Sequence, residues 1–146
     1  MKVKGLDNKI YVWSLKDKEP LADDLVPRSE PHLRCRKLLK QLFPFDKILE
    51  EVPLPGSGGL AADFVILQRK LIVEVHGEQH YNFIPHFHGN RAGFLRAKNN
   101  DSIKESWAEI NNLRLVSLPH YESDEVWKDI LLKLNKYVKP VDTNQI

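Results

Sequence analysis

Cysteine is nearly missing from this chain. Cys35 stands alone, so no internal disulfide can form, and a reducing, cytosolic setting is the expectation. Long apolar runs are missing as well. Stretches such as Leu71 to Val73 fall far short of the roughly 20 residues a membrane-spanning helix needs, so no membrane partner is expected. Met1 to Lys18 alternates charge with short apolar patches, which is not the pattern of a secretory leader. No repeat, low-complexity tract or linker divides the chain. A strong net charge is also lacking: at +2, bulk electrostatics announce no polyanionic partner.

What remains is the composition of an ordinary soluble domain, 42% hydrophobic and 29% charged over 146 residues, long enough to bury a core. The expected division is an N-terminal arm or edge strand over 1–27, a core domain over 28–140 and a tail over 141–146. Charge is unevenly spread. Arg28 to Lys40 carries five Lys or Arg against one acid, Glu30, and Arg91, Arg96, Lys98 and Lys104 form a second basic stretch beside Asp101. Such stretches contact phosphate in some proteins and are solvated helix faces in others.

Periodicity predicts the elements. Lys9 to Leu15 reads as an edge strand, with Pro20 and Pro27 opposing a long helix after it. Ser29-Glu30-Pro31 is a helix start, and Cys35, Leu38, Leu39 and Leu42 recur at helical spacing to about Phe43. A strand over Lys47 to Pro53 and a flexible turn over 55–59 follow. Leu60 to Leu67 and Lys70 to His76 then read as two strands with Gln68-Arg69 between them. A helix is expected over Arg91 to Ile110, with Phe94, Ala97 and Ile103 or Trp107 as its apolar positions. A strand over Leu113 to Leu118 and a last helix from Ser123 or Asp124 to about Val138 complete the chain. The expected fold is α/β, a small mixed β-sheet flanked by helices.

Alternation on the strand 70–76 puts Leu71, Val73 and Val75 on one face and Ile72, Glu74 and His76 on the other. An acid inside an apolar strand needs a partner or a task. Lys70 or Arg69 would be the structural partner. The task is suggested by neighbours: Asp63 lies on the adjoining strand, and His76-Gly77-Glu78-Gln79-His80 follows directly. Two carboxylates beside imidazoles suit a hard divalent cation with its bound water, and a histidine can take a proton from that water near neutral pH.

These residues resemble the PD-(D/E)XK nuclease superfamily, with His76 where the usual lysine follows Glu-x. Within it, the order Glu30, Asp63, His76-Gly77, His80 and Asp101 is similar to the very-short-patch repair endonucleases and the EDxHD homing endonucleases of phages. The resemblance spans about Ser29 to Leu118 and implies a restriction-endonuclease-like core and a magnesium-dependent endodeoxyribonuclease, with manganese able to substitute. It implies Asp63 as central metal ligand, helped by Glu74 or the carbonyl of Val75. His80, paired with Asp101, would orient or deprotonate the attacking water, with His76 on the bound water or phosphate and Glu30 an outer ligand through water. His76, Gln79 and His80 compete for the role of base. Arg34, Arg36, Lys37, Lys40, Arg91, Arg96 and Lys98 would hold the backbone of double-stranded DNA. A long target site would call for a homodimer or extended arms.

Two further readings are structural. His76, His80, His86 and His88 invite zinc, but no cysteine lies among them to close a site. Trp13, Trp107 and Trp127 are most simply core or interface residues.

Overall fold

The computed structural model describes residues 1–15, 28–77 and 91–133. Strands β1 (Lys2–Lys4) and β2 (Ile10–Val12) form a two-stranded antiparallel ribbon. Helix α1 (Glu30–Leu42) precedes β3 (Leu49–Pro53), β4 (Ala61–Ile66) and β5 (Leu71–His76), with a 3-10 turn at Leu67–Arg69. Helix α2 (Arg91–Ile110), β6 (Arg114–Pro119) and a helix α3 over 124–133 follow. The main sheet has the order β3-β4-β5-β6. Its first three strands run antiparallel, and β6 lies parallel to β5 across the α2 crossover. This is the mixed α/β sheet expected from periodicity.

Local chemistry sets the ends. The Ser29 hydroxyl accepts from His32 N–H, Pro31 sits in the first turn, and the Phe43 N–H closes α1 on Leu39 O. Ser123 caps α3 by accepting from Val126 N–H. The last turns expected to about Val138, and the tail 141–146, lie outside the described residues.

Each face of the sheet carries its own core. On one, Cys35, Leu38 and Leu39 of α1 and Trp127 and Leu131 of α3 pack against Phe64, Ile66, Val73, Val75, Val116 and Leu118. On the other, Trp107 and Ala108 of α2 and Val3, Trp13 and Leu15 of the N-terminal segment pack against Leu49, Val65 and Ile72. All three tryptophans are core residues, and each indole N–H donates to a proline carbonyl: Trp13 to Pro53, Trp107 to Pro55 and Trp127 to Pro119.

Of the two readings of the N-terminal segment, arm or edge strand, residues 1–15 take the strand form and pack into the second core. Trp13 meets Trp107 edge-on at 5.1 Å, and Asn111, in the turn after α2, holds Lys4 through both its backbone groups. Gly5 lies so close to Gly56 that a Cβ on Gly5 would come within 2.8 Å of the Gly56 Cα. The α2 pattern is corrected: among the described side chains only Trp107 and Ala108 of this helix are buried, and Phe94 and Ala97 are half-exposed.

Candidate active site

The ladder between β4 and β5 pairs Ile66 with Leu71, Val65 with Ile72 and Phe64 with Val73, then stops. The next opposing residues in that register are Asp63 and Glu74. Between β3 and β4 the ladder also omits Asp63: Glu50 pairs with Phe64 and Val52 with Ala62, while Glu51 between them adopts φ 51°. A left-handed conformation at a non-glycine residue twists the strand locally. Asp63 is thus released on both edges.

Side chains take over where the ladder ends. Asp63 N–H donates to Glu74 Oε2 at 2.7 Å, and Val75 N–H donates to Asp63 Oδ2 at 2.8 Å. The two strands are bridged by a reciprocal pair of carboxylate–amide bonds, the charge-assisted kind. The carbonyls of Lys70 and His76 point toward β6, where they accept from Arg114 and His120 N–H. Alternation then turns both backbone groups of Val75 toward β4 and this opening.

Glu74 is buried, 3% exposed, on the sheet face covered by α2. Its other oxygen, Oε1, accepts from Lys104 Nζ at 2.6 Å. Neither Lys70 nor Arg69 is its partner; Arg69 pairs with Asp46. Burial pushes the Glu74 carboxyl up from 4.5 to about 7, the neighbouring Asp63 charge adds to this, and the Lys104 ammonium opposes both. One turn earlier on α2, Asp101 Oδ1 lies 3.8 Å from His76 Nε2. Helical spacing of three puts Lys104 and Asp101 on one face, over alternate residues Glu74 and His76 of β5.

Asp63 and Glu74 are therefore joined through each other and Val75, while His76 and Asp101 form a second pair at the end of β5. Asp101 faces His76; His80 and Gln79 lie outside the described residues. Glu30 is exposed at the start of α1 and makes no hydrogen bond or ion pair to this group among the described residues. The α1 side chain turned inward is His32. It stacks on Phe64 at 4.6 Å and bonds Glu50 Oε1, which also accepts from Arg36 at 2.7 Å.

The basic residues divide. Arg36 is fully buried against Glu50, which corrects its reading as a DNA contact. Arg34 lies over the Trp127 ring at 3.6 Å, pairs with Asp124 and donates to the carbonyls of His120 and Glu122, so it ties α1 to α3. Lys37, Lys40, Arg91, Arg96 and Lys98 are exposed.

Lys104 and Glu50 escaped the sequence reading. Lys104 reads from the sequence as a basic-stretch residue one helical turn after Asp101 and a candidate partner for it, whereas the structure pairs it with Glu74. Nothing local marks Glu50, because its partners come from α1.

A viral protein, uncharacterized protein 307L of Invertebrate iridescent virus 6, is 33% identical over 138 residues, covering 82% of this chain and 68% of its own. The chain belongs to the 307L family. No family model matches it, and no solved structure does. Across this chain of the 307L family, no helix of the described residues is long and apolar enough to cross a membrane.

Proposed function

We propose that this protein is a metal-dependent DNA endonuclease with a restriction-endonuclease-like core, acting site-specifically on double-stranded DNA in the manner of phage homing endonucleases. The carrying observation is the opening of the sheet at Asp63 and Glu74, with Lys104 set against it.

The donor chemistry of these residues fits magnesium, although among the described residues no group of three His, Cys, Asp or Glu side chains gathers into a metal site. Two carboxylates and a peptide carbonyl are a hard-oxygen set of the kind magnesium takes together with water and phosphate oxygens. Each carboxylate oxygen keeps a lone pair beyond its hydrogen bond, so Asp63, Glu74 and the Val75 carbonyl would hold the ion. When bound, magnesium supplies charge stabilisation at phosphorus and a more acidic water.

The chain's own groups do the rest. Asp63 is held rigid by the Val75 N–H, so it offers its carboxylate without reorganising. Lys104 favours the ionised form of Glu74 against its burial, and its ammonium would help to balance phosphate charge at the site. His76, backed by Asp101, stands at the rim as a proton acceptor. Exposed Lys37, Lys40, Arg91 and Lys98 contribute sequence-neutral attraction to the backbone.

The test is incubation with supercoiled plasmid and mixed genomic DNA, with magnesium, with manganese and with EDTA, beside Asp63→Ala. Metal-dependent nicks or breaks that vanish in the variant support the reading. Binding without cutting under every metal would replace it with a nuclease-like fold that grips DNA, in which Glu74–Lys104 serves only as an ion pair. Nicking confined to mismatched duplex would mark a repair enzyme instead of a homing one.

A further inference from the structure

Helix α2 is 20 residues long, about 30 Å at 1.5 Å per residue. Its ion pairs with the main sheet run antiparallel to β5: Lys104 meets Glu74, and Asp101 meets His76, the last residue of that strand. Residues 91–100, about 15 Å of helix, therefore continue past the end of β5. Arg91, Ala92, Leu95, Arg96, Lys98 and Asn99 on this stretch are exposed, and no acid occurs before Asp101. The exposed acids, Glu105 and Glu109, lie in the trailing half.

This charge order opposes the helix's own dipole, which favours acids at the N-terminus and bases at the C-terminus; α2 has no acid in its first turn and no base in its last. Stability of the helix does not account for the placement. A polyanion at its leading end does, and that end adjoins the carboxylate site. We infer that the leading half of α2 enters the major groove of double-stranded DNA and reads base edges there, with Leu95, Arg96 and Asn99 as its reading residues. The inference rests on the nuclease reading for its partner.

The fit is geometric and chemical. The major groove, about 12 Å wide, admits a helix. Arg96 and Asn99 are three residues apart and Leu95 and Asn99 four, so they share one exposed face. Arginine reads guanine, asparagine reads adenine, and an apolar side chain meets the thymine methyl. At 3.6 residues per turn, Leu95, Arg96 and Asn99 lie on the side of α2 turned away from Asp101 and Lys104, so the sheet backs the helix and the opposite side is open to a groove.

The full-length protein in EDTA, which prevents cutting, is mixed with a pool of randomised DNA duplexes, and the bound fraction is sequenced. Wild type, Arg96→Lys and Asn99→Ala are compared after circular dichroism shows each folded. A sequence motif is expected with wild type. Asn99→Ala should weaken preference at one base pair roughly tenfold, and Arg96→Lys should do so at another while leaving the salt slope of binding unchanged. No wild-type motif, a motif identical in all three proteins, or stronger binding to duplex RNA overturns the inference. The nuclease reading fails separately, if a motif that depends on α2 is bound yet magnesium elicits no cut in DNA containing it.

Discussion

Replacing Lys104 with Met removes the ammonium from Glu74 Oε1 while keeping a similar unbranched side chain. Glu74 is 4% and Lys104 15% exposed at the side chain, so water cannot fully substitute for the lost partner. Stripping one member from a buried ion pair costs about 3–5 kcal/mol when the other charge remains. Here the cost depends on pH, because Glu74 can escape by protonating. In the wild-type fold its carboxyl is raised from 4.5 to about 7. A raised acid favours the folded state in its protonated form. Its contribution is thus full below pH 4.5 and is lost as pH rises through 7, by roughly 3 kcal/mol for that interval. Without Lys104 the carboxyl rises further. Lys104→Met should therefore cost about 3 kcal/mol at pH 8.5, a fall in Tm of roughly 10 °C, and less than about 1 kcal/mol at pH 5.5. Urea melts of wild type, Lys104→Met, Glu74→Gln and the double variant across this range measure it, with the Lys104 effect shrinking in the Glu74→Gln background. A Lys104→Met penalty that is the same at both pH values refutes the reasoning.

Magnesium at 10 mM should raise the Tm of wild type at pH 8 and leave Asp63→Ala unmoved, and EDTA should reverse the gain; scanning calorimetry reads this. Arg36→Met should destabilise by about 3 kcal/mol or more in urea melts, because it leaves the Glu50 carboxylate buried beside His32 without its guanidinium. Trp107→Ala should cost about 3–5 kcal/mol through the cavity it opens beneath the N-terminal ribbon. Gly5→Ala should loosen that ribbon from the Gly56 turn, seen as faster amide exchange at Val3 and Trp13 with cutting unchanged.

Elements were legible wherever periodicity and caps were local. Ser29 and Pro31 announced α1, and the alternation in LIVEVH put Glu74 and His76 on one face of β5. That this face is buried was not legible, because its cover comes from Trp107, 33 residues after Glu74, and from Trp13 before α1. The main-sheet core was visible as apolar runs. The status of the basic side chains was not, since a long side chain such as Arg36 or Arg34 reads identically whether it faces water or a buried acid. At the candidate site, Asp63 and Glu74 stood out as acids among apolar neighbours. The break in pairing around Asp63 did not, because on its β3 side it falls at the left-handed backbone of Glu51, a residue with no glycine-like signature.

The lysine facing Glu74 is thirty positions away along the chain, on a helix anchored separately by Trp107 and Ala108. An ensemble assembled across a connection in this way has no fixed spacing to search for. Lys104 is set opposite Glu74 by the seat of α2 on the sheet, where Trp107 and Ala108 are buried, so chain length between the two need not be fixed. Members of the 307L family are therefore better sought by pairing an acid on a short apolar strand with a lysine two-thirds of the way along the next helix than by any contiguous string of letters.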